Sequence, residues 1–290
     1  MFAGLKHLLT EPPPDYAFEL SESGIAWARP GAPAQPSFEK LEPEVLSVSP
    51  LRDNVLKPEL LRDRISRIAG PNGSRKRRRA VMILPDFCAR VAVLDFDTFP
   101  KEENEQMSLV RFRMKRSVPF DFESAMIRYH AQTDPATNRI ELIVVAAALD
   151  IIARYEAPFR AAGLHAGHVT TSTLAALELD GRTGVSLLAK LSGRVLTAAV
   201  LKNGVLRMLR TVELHAISHE EIMAVLFPTA AYVEDELETR PERLLVCGIE
   251  TRLAGHVAEE LGVACEPLKS RWGAPAEYNA GLLGYLESVR

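Results

Sequence analysis

Cysteine is scarce in this chain, with three in 290 residues. Cys88, Cys247 and Cys265 are odd in number, far apart and without a C-x-x-C pair. That excludes a disulfide framework and argues against a zinc site, so three reduced, mostly buried thiols are expected. An excess of charge of one sign is also missing: the net charge of -3 gives no global pull toward nucleic acid or an anionic membrane. Long apolar runs are lacking too. The longest, Leu142 to Leu149, falls far short of the ~18 residues that cross a bilayer. Met1 to Thr10 has neither the apolar core nor the small-residue cleavage site of a signal peptide, so a cytoplasmic chain is expected. No G-x-S-x-G elbow, Walker loop or dinucleotide fingerprint occurs. No spacing argues for a Ser-His-Asp triad, and no catalytic residue is expected. His215 and His219 have the i, i+4 spacing of a metal pair, but His215 precedes the helix expected from Ser218 and no third ligand accompanies them. His165 and His168 are no better supported, and no metal is expected.

What remains is an ordinary globular composition, 47% hydrophobic and 25% charged, at a length that suits about two domains. Met1 to Leu9 reads as a frayed amphipathic terminus. Tyr16 to Leu20 and Gly24 to Ala28 read as strands around a Ser-Glu-Ser-Gly turn. A proline-rich connection from Pro30 to Pro50 holds one expected strand near Val45 to Val48. A helix over Lys57 to Ala69 stops at Gly70. Arg75 to Arg79 is a basic run that leads into the apolar strand Ala80 to Leu84, and reads as a solvated loop. Val91 to Phe96 is a strand. Ile127 to Gln132 and Ile140 to Ala147 form a hairpin across 133 to 139, the second strand being apolar enough for burial on both faces. Asp150 is positioned to cap a helix that ends at Gly163. A short strand, His165 to Val169, and a helix, Thr170 to Asp180, follow.

The early pattern then returns. Val185 to Leu191, Arg194 to Leu201 and Val205 to Glu213 read as a meander, with Asn203-Gly204 as a tight turn. Helix, strand, helix, strand and a last helix from Glu277 follow. The order meander, helix, strand, helix, strand thus occurs twice, with about 87–148 inserted in the first copy. That pattern implies two related α/β lobes facing a cleft, 1–180 and 181–290.

The insertion holds the most unusual stretch, Met107 to Phe122. Met107, Val110, Met114 and Val118 share one helical face, Leu109 and Phe112 the opposite one, and Arg111, Arg113, Lys115 and Arg116 lie between. Pro119 is expected to end the helix. A helix apolar on two faces is expected to be covered twice.

Four blocks carry a family resemblance: Ala80-Val-Met-Ile-Leu-Pro85, Val110 to Phe122 with Ser-Val-Pro-Phe near its end, Val144 to Gly163, and Leu244 to Leu268. In these the chain resembles PilM, the actin-like cytoplasmic protein of type IV pilus assembly, and the related cytoplasmic domain of the type II secretion protein GspL. The resemblance implies an actin-like fold of two RNase-H-like lobes with an inserted subdomain. It also implies a non-catalytic scaffold under the inner membrane, associated with the membrane through its partners. A groove beside the subdomain would hold the N-terminal tail of a PilN-like membrane protein, alongside other pilus or secretion platform proteins. No nucleic acid is implied. Leu109, Phe112, Val118, Pro119 and Phe120 are the residues expected toward that groove, with Met107, Val110 and Met114 facing the protein's own sheet.

The resemblance also says where nucleotide chemistry would sit, because each lobe of the family carries an Asp-x-Gly turn whose backbone approaches phosphate and whose carboxylate positions Mg²⁺. Here Glu19 and Ser21 stand at those positions in the first lobe, and Lys190 and Ser192 in the second. Lysine cannot ligate Mg²⁺. The third site keeps only Gly248, followed by Glu250. A degenerate nucleotide site is implied, with neither ATP nor Mg²⁺ as a cofactor. The alternative is an actin-like ATPase or sugar-kinase-type enzyme that binds ATP between the lobes.

Overall fold

The computed structural model describes residues 13–31, 35–71, 77–133 and 140–289. The frayed terminus expected over Met1 to Leu9, the start of the basic run and most of the hairpin turn at 133–139 lie outside the described residues.

Two five-stranded sheets share one plan. In the first, β1 (Tyr16–Leu20), β2 (Gly24–Ala28) and β3 (Ser37–Lys40) form an antiparallel meander. On the other side of β1, β4 (Arg78–Leu84) and then β8 (Leu164–Thr171) pair in parallel, giving the order β3-β2-β1-β4-β8. In the second, β9 (Val185–Ser192), β10 (Val195–Lys202) and β11 (Val205–Glu213) form the meander, and β12 (Arg243–Cys247) and β13 (Ala264–Pro267) continue in parallel, in the order β11-β10-β9-β12-β13. The central strands β1, β4, β9 and β12 are buried along nearly their whole length, as parallel pairing covered on both faces requires.

Local sequence explains most of the elements. α1 (Pro58–Ala69) begins with proline at its first position and ends where Gly70 takes positive φ. Asn203 and Gly204 both take positive φ in the β10–β11 turn. α5 (His219–Leu237) is capped by the Ser218 hydroxyl, which accepts from Glu221 N–H at 3.3 Å.

Three expectations are corrected. The Val45 to Val48 segment is not a strand and makes only a single bridge, Leu46 to Val55; the third strand is β3. α2 (Glu103–Met114) starts earlier than Met107 and ends before Val118, the residue that Pro119 bars from α conformation, in a turn closed by Ser117 N–H to Met114 C=O at 2.8 Å. Asp150 lies in the first turn of α3 (Leu149–Ala161), whose N-cap is Ala148, with no side-chain cap. The thiols are free and mostly buried, as expected: Cys88 and Cys247 are buried and Cys265 is exposed.

The insertion forms a three-stranded antiparallel sheet, β5-β7-β6, from β5 (Arg90–Phe96), β6 (Ala125–Thr133) and β7 (Ile140–Ala148). β7 is the middle strand. Leu142, Val144 and Ala146 pack with Val110 and Met114 of α2 on one face. Ile143, with Val91 and Val93, packs against Leu188, Leu206, Leu209 and Leu245 of the second lobe. The insertion therefore leaves the first lobe and leans on the second. Arg207 Nη1 meets Glu141 at 2.5 Å there, Gln132 Nε2 donates to Leu206 C=O, and Arg90 Nη1 donates to Thr211 C=O at 3.3 Å.

The last helix, α7 (Ala280–Ser288), crosses back. Leu282 and Leu286 pack with Ala17, Ala26, Val81 and Ile83 of the first sheet. A chain division at 180/181 thus separates the two sheets but not the helices that cover them.

Candidate functional site

Where the two lobes meet, Glu19 of β1 and Lys190 of β9 occupy matching places in the repeated plan, each two residues before a turn serine. Both are buried, at 1% and 2% exposure, as is Asp86 just after β4 at 6%. Lys190 Nζ lies 3.2 Å from Asp86 Oδ2. The same carboxylate accepts from Thr173 N–H and Thr173 Oγ1–H, both at 2.6 Å, and from Thr197 Oγ1–H at 3.3 Å. Thr173 lies at the start of α4 (Ser172–Ala176), and Thr197 is on β10 of the other lobe. Its neighbour Ser172 donates to Glu19, whose second oxygen accepts from Leu282 N–H of α7 at 2.7 Å. Asn279, the N-cap residue of α7, makes no side-chain cap, so Glu19 caps that helix from a distant strand.

These charges are held by one another and by the hydrogen bonds around them, buried from bulk solvent. Desolvation pushes the Glu19 carboxyl above its usual range, against the pull of Lys190 and the bonds from Ser172 and Leu282. Lys190 is also desolvated, which alone would lower its pKa; the Asp86 and Glu19 charges outweigh this and hold it above its usual range. Cys247, on β12 beside Lys190 in register, is pushed up to about 12 by burial and is an unreactive thiol.

The turns around this centre are occupied in the same manner. Gly193, at positive φ in the β9–β10 turn, donates its N–H to Glu277 at 3.3 Å. Glu250 caps α6 (Thr251–Leu261), accepting from the N–H groups of Arg252 and Leu253 at 3.0 Å each; these bonds hold its carboxyl below the usual range. Gly248 takes φ +75°, and a Cβ there would stand 2.0 Å from Leu191 C=O. Backbone amides that could cradle phosphate thus serve Glu19, Asp86, Glu250 and Glu277 instead. Of these partners the sequence reading had singled out Glu19, Ser21, Lys190, Ser192, Gly248 and Glu250. Ser21 closes the β1–β2 turn through bonds with Gly24, and Ser192 ends β9. Asp86, Ser172, Thr173, Thr197 and Glu277 were missed. The Pro85-Asp86 step after an apolar strand was the one local signal for them.

A second feature lies on the insertion. A groove of about 270 Å³ runs between Met107 and Arg111 of α2, residues 123–128 leading into β6, and Leu149 at the start of α3. β6 pairs only with β7, so its outer edge borders this groove. Met107, Val110 and Met114 pack toward the insertion's own sheet. Leu109, Val118 and Phe120 are half-buried against the same cluster, while Phe112, at 76% exposure, and Pro119 face solvent. None of these last five lines the groove. His215 and His219 go to separate carboxylates, Glu221 and Glu260. No cluster suited to a metal ion occurs among the described residues, and none of their helices is long and apolar enough to cross a membrane. Arg78, from the basic run, is used at home, donating to the C-terminal carbonyls of α1 at Ala69 and Gly70.

Two lobes of repeated meander-and-crossover topology, joined by a C-terminal helix that returns to the first and carrying an inserted subdomain, make this an actin-like fold. Among solved structures the chain is similar to a PilM–PilN type IV pilus biogenesis complex, at 18% identity over 97% of this chain and 100% of that one, with a TM-score of 0.70. It is also similar to a Bacteroides thetaiotaomicron protein with an actin-like ATPase fold, at 12% identity over 86% and 89% of the two chains, TM-score 0.53. The cytoplasmic domain of EpsL, from the type II secretion system of Vibrio cholerae, follows at 14% identity over 80% of each, TM-score 0.49. At such identities the likeness is one of fold. No protein-family model and no curated protein matches the chain.

Proposed function

We propose that this chain is a non-catalytic cytoplasmic scaffold of a type IV pilus or type II secretion-like assembly, which holds the N-terminal tail of a PilN-like inner-membrane protein. The observation that carries the reading is the groove at the edge of β6. An extended peptide laid there finds backbone partners along the strand edge, and apolar contacts from Met107, Met126 and Leu149. The overall likeness to a fold solved in complex with PilN supports it. The centre between the lobes supports the non-catalytic half. A triphosphate entering there would meet four carboxylates, and the one central ammonium is already paired with Asp86.

Calorimetry with the N-terminal peptide of a PilN-like membrane protein tests the docking. Binding that Met126→Asp weakens by at least tenfold is expected, and absence of binding to the wild-type chain overturns the reading. Titration with ATP and Mg²⁺ tests the other half; micromolar binding would sink it.

A further inference from the structure

We propose that the exposed end of α2 is a membrane-contact surface, with Phe112 as an apolar wedge and Arg113, Lys115 and Arg116 as its contacts for anionic lipid headgroups. Phe112 is the most exposed large apolar side chain among the described residues, at 76%. Burying one face of α2 does not explain it, because Val110 and Met114 do that while Phe112 stands on the far side. Its neighbours are cations: from Leu109 to Phe122 the only carboxylate is Asp121, against Arg111, Arg113, Lys115 and Arg116. Lys115, Arg116 and Ser117 are exposed. Arg111 is turned inward, over the Phe122 ring. Arg113 leans on the Phe96 ring and meets Asp95 at 3.5 Å, with 42% of its side chain still exposed.

An exposed aromatic side chain flanked by the exposed Lys115 and Arg116 and the half-exposed Arg113 matches the boundary between headgroups and acyl chains, where the aromatic ring enters the apolar layer and the cations stay at the anionic surface. A nucleic acid would instead be expected to find a cationic groove that follows its backbone, whereas here the cations flank an exposed aromatic ring. The placement rests on the docking reading: a tail that leaves a membrane and enters the adjacent groove brings this end of α2 to the bilayer.

Co-sedimentation of the full chain with phosphatidylcholine vesicles, with and without phosphatidylserine, tests the surface. Binding only to the serine-containing vesicles is expected, falling as salt rises. Lys115→Glu/Arg116→Glu should weaken it more than tenfold, since each cation near such a surface is worth about fivefold. Phe112→Ser, at a solvent-facing site, should fold normally and also bind vesicles less. Equal binding to both vesicle types, no binding, or variants that sediment like the wild type would each overturn the proposal, as would salt-sensitive binding to an oligonucleotide without vesicle binding. Peptide calorimetry on the same variants separates the two readings. Peptide affinity kept while vesicle binding is lost supports the lipid surface. Peptide affinity lost with vesicle binding kept makes Phe112 a partner contact and overturns it. A wild-type chain that binds vesicles but no peptide refutes the docking reading alone.

Discussion

Lys190→Met isolates one buried contact between the lobes. The side chain is buried at 2% exposure with its ammonium 3.2 Å from Asp86. At an effective dielectric of about 20 that separation corresponds to about 5 kcal/mol of attraction. Removing lysine also relieves its own desolvation, but leaves Asp86 and Glu19 as buried carboxylates without a counter-ion. Losing one member of such a pair costs about 3–5 kcal/mol, which for a chain of this size lowers Tm by about 6–10 °C. Thermal and urea unfolding measure this directly. Lys190→Met combined with Asp86→Asn removes both charges and should recover most of the loss, because the amide oxygen can still accept from Thr173 N–H while the amide NH2, in the place of Oδ2, donates to the hydroxyls of Thr173 and Thr197. The deficit also has a pH signature. Without Lys190, the Glu19 carboxyl, already raised by burial, rises further, so lowering the pH neutralises it and narrows the gap to wild type. In the wild type, the contribution of Lys190 is fully present below its ordinary 10.5 and is lost only as pH rises through its higher folded value. A single variant that melts with the wild type, or a double variant no better than the single, would refute a stabilising role for this pair between the lobes.

Two further outcomes follow from the same contacts. Glu19 has a raised folded pKa, so its contribution is present below the ordinary 4.5 and declines as pH rises through the folded value; Glu19→Gln should flatten stability between acid and neutral pH, read from urea midpoints, and an unchanged profile would count against a desolvated carboxylate. Gly284→Ala sets propensity against packing. Alanine favours a helix interior by about 1 kcal/mol, yet a Cβ at Gly284 would lie 2.1 Å from Ala175 C=O, and overpacking of this kind costs about 1–3 kcal/mol or more. A lower Tm is expected, and a higher one would show that α7 and α4 can separate freely.

Short-range chemistry made much of the fold legible. Positive φ at Gly70, Gly163 and Gly204, the Ser218 cap and the alternating or wholly apolar strand patterns depend on neighbours within a few residues. β3 escaped because Ser37-Phe-Glu-Lys40 is largely exposed and joins its sheet through backbone bonds to β2, which demand little of its side chains. The end of α2 was misplaced because Pro119 excludes helix from the residue before it but does not say how much sooner the helix stops.

By itself, then, the sequence determined two matching sets of strands and helices and an inserted subdomain, and Glu19, Ser21, Lys190 and Ser192 as the residues altered from the Asp-x-Gly turns that the resemblance implies, with Gly248 kept at the third site. Only the tertiary structure decided what those alterations do. Glu19 meets Ser172 and Leu282, and Lys190 meets Asp86, across separations of 153, 263 and 104 residues. A buried charge has to be matched by whatever donor or counter-ion the fold brings within about 3 Å. No local pattern encodes which one that will be.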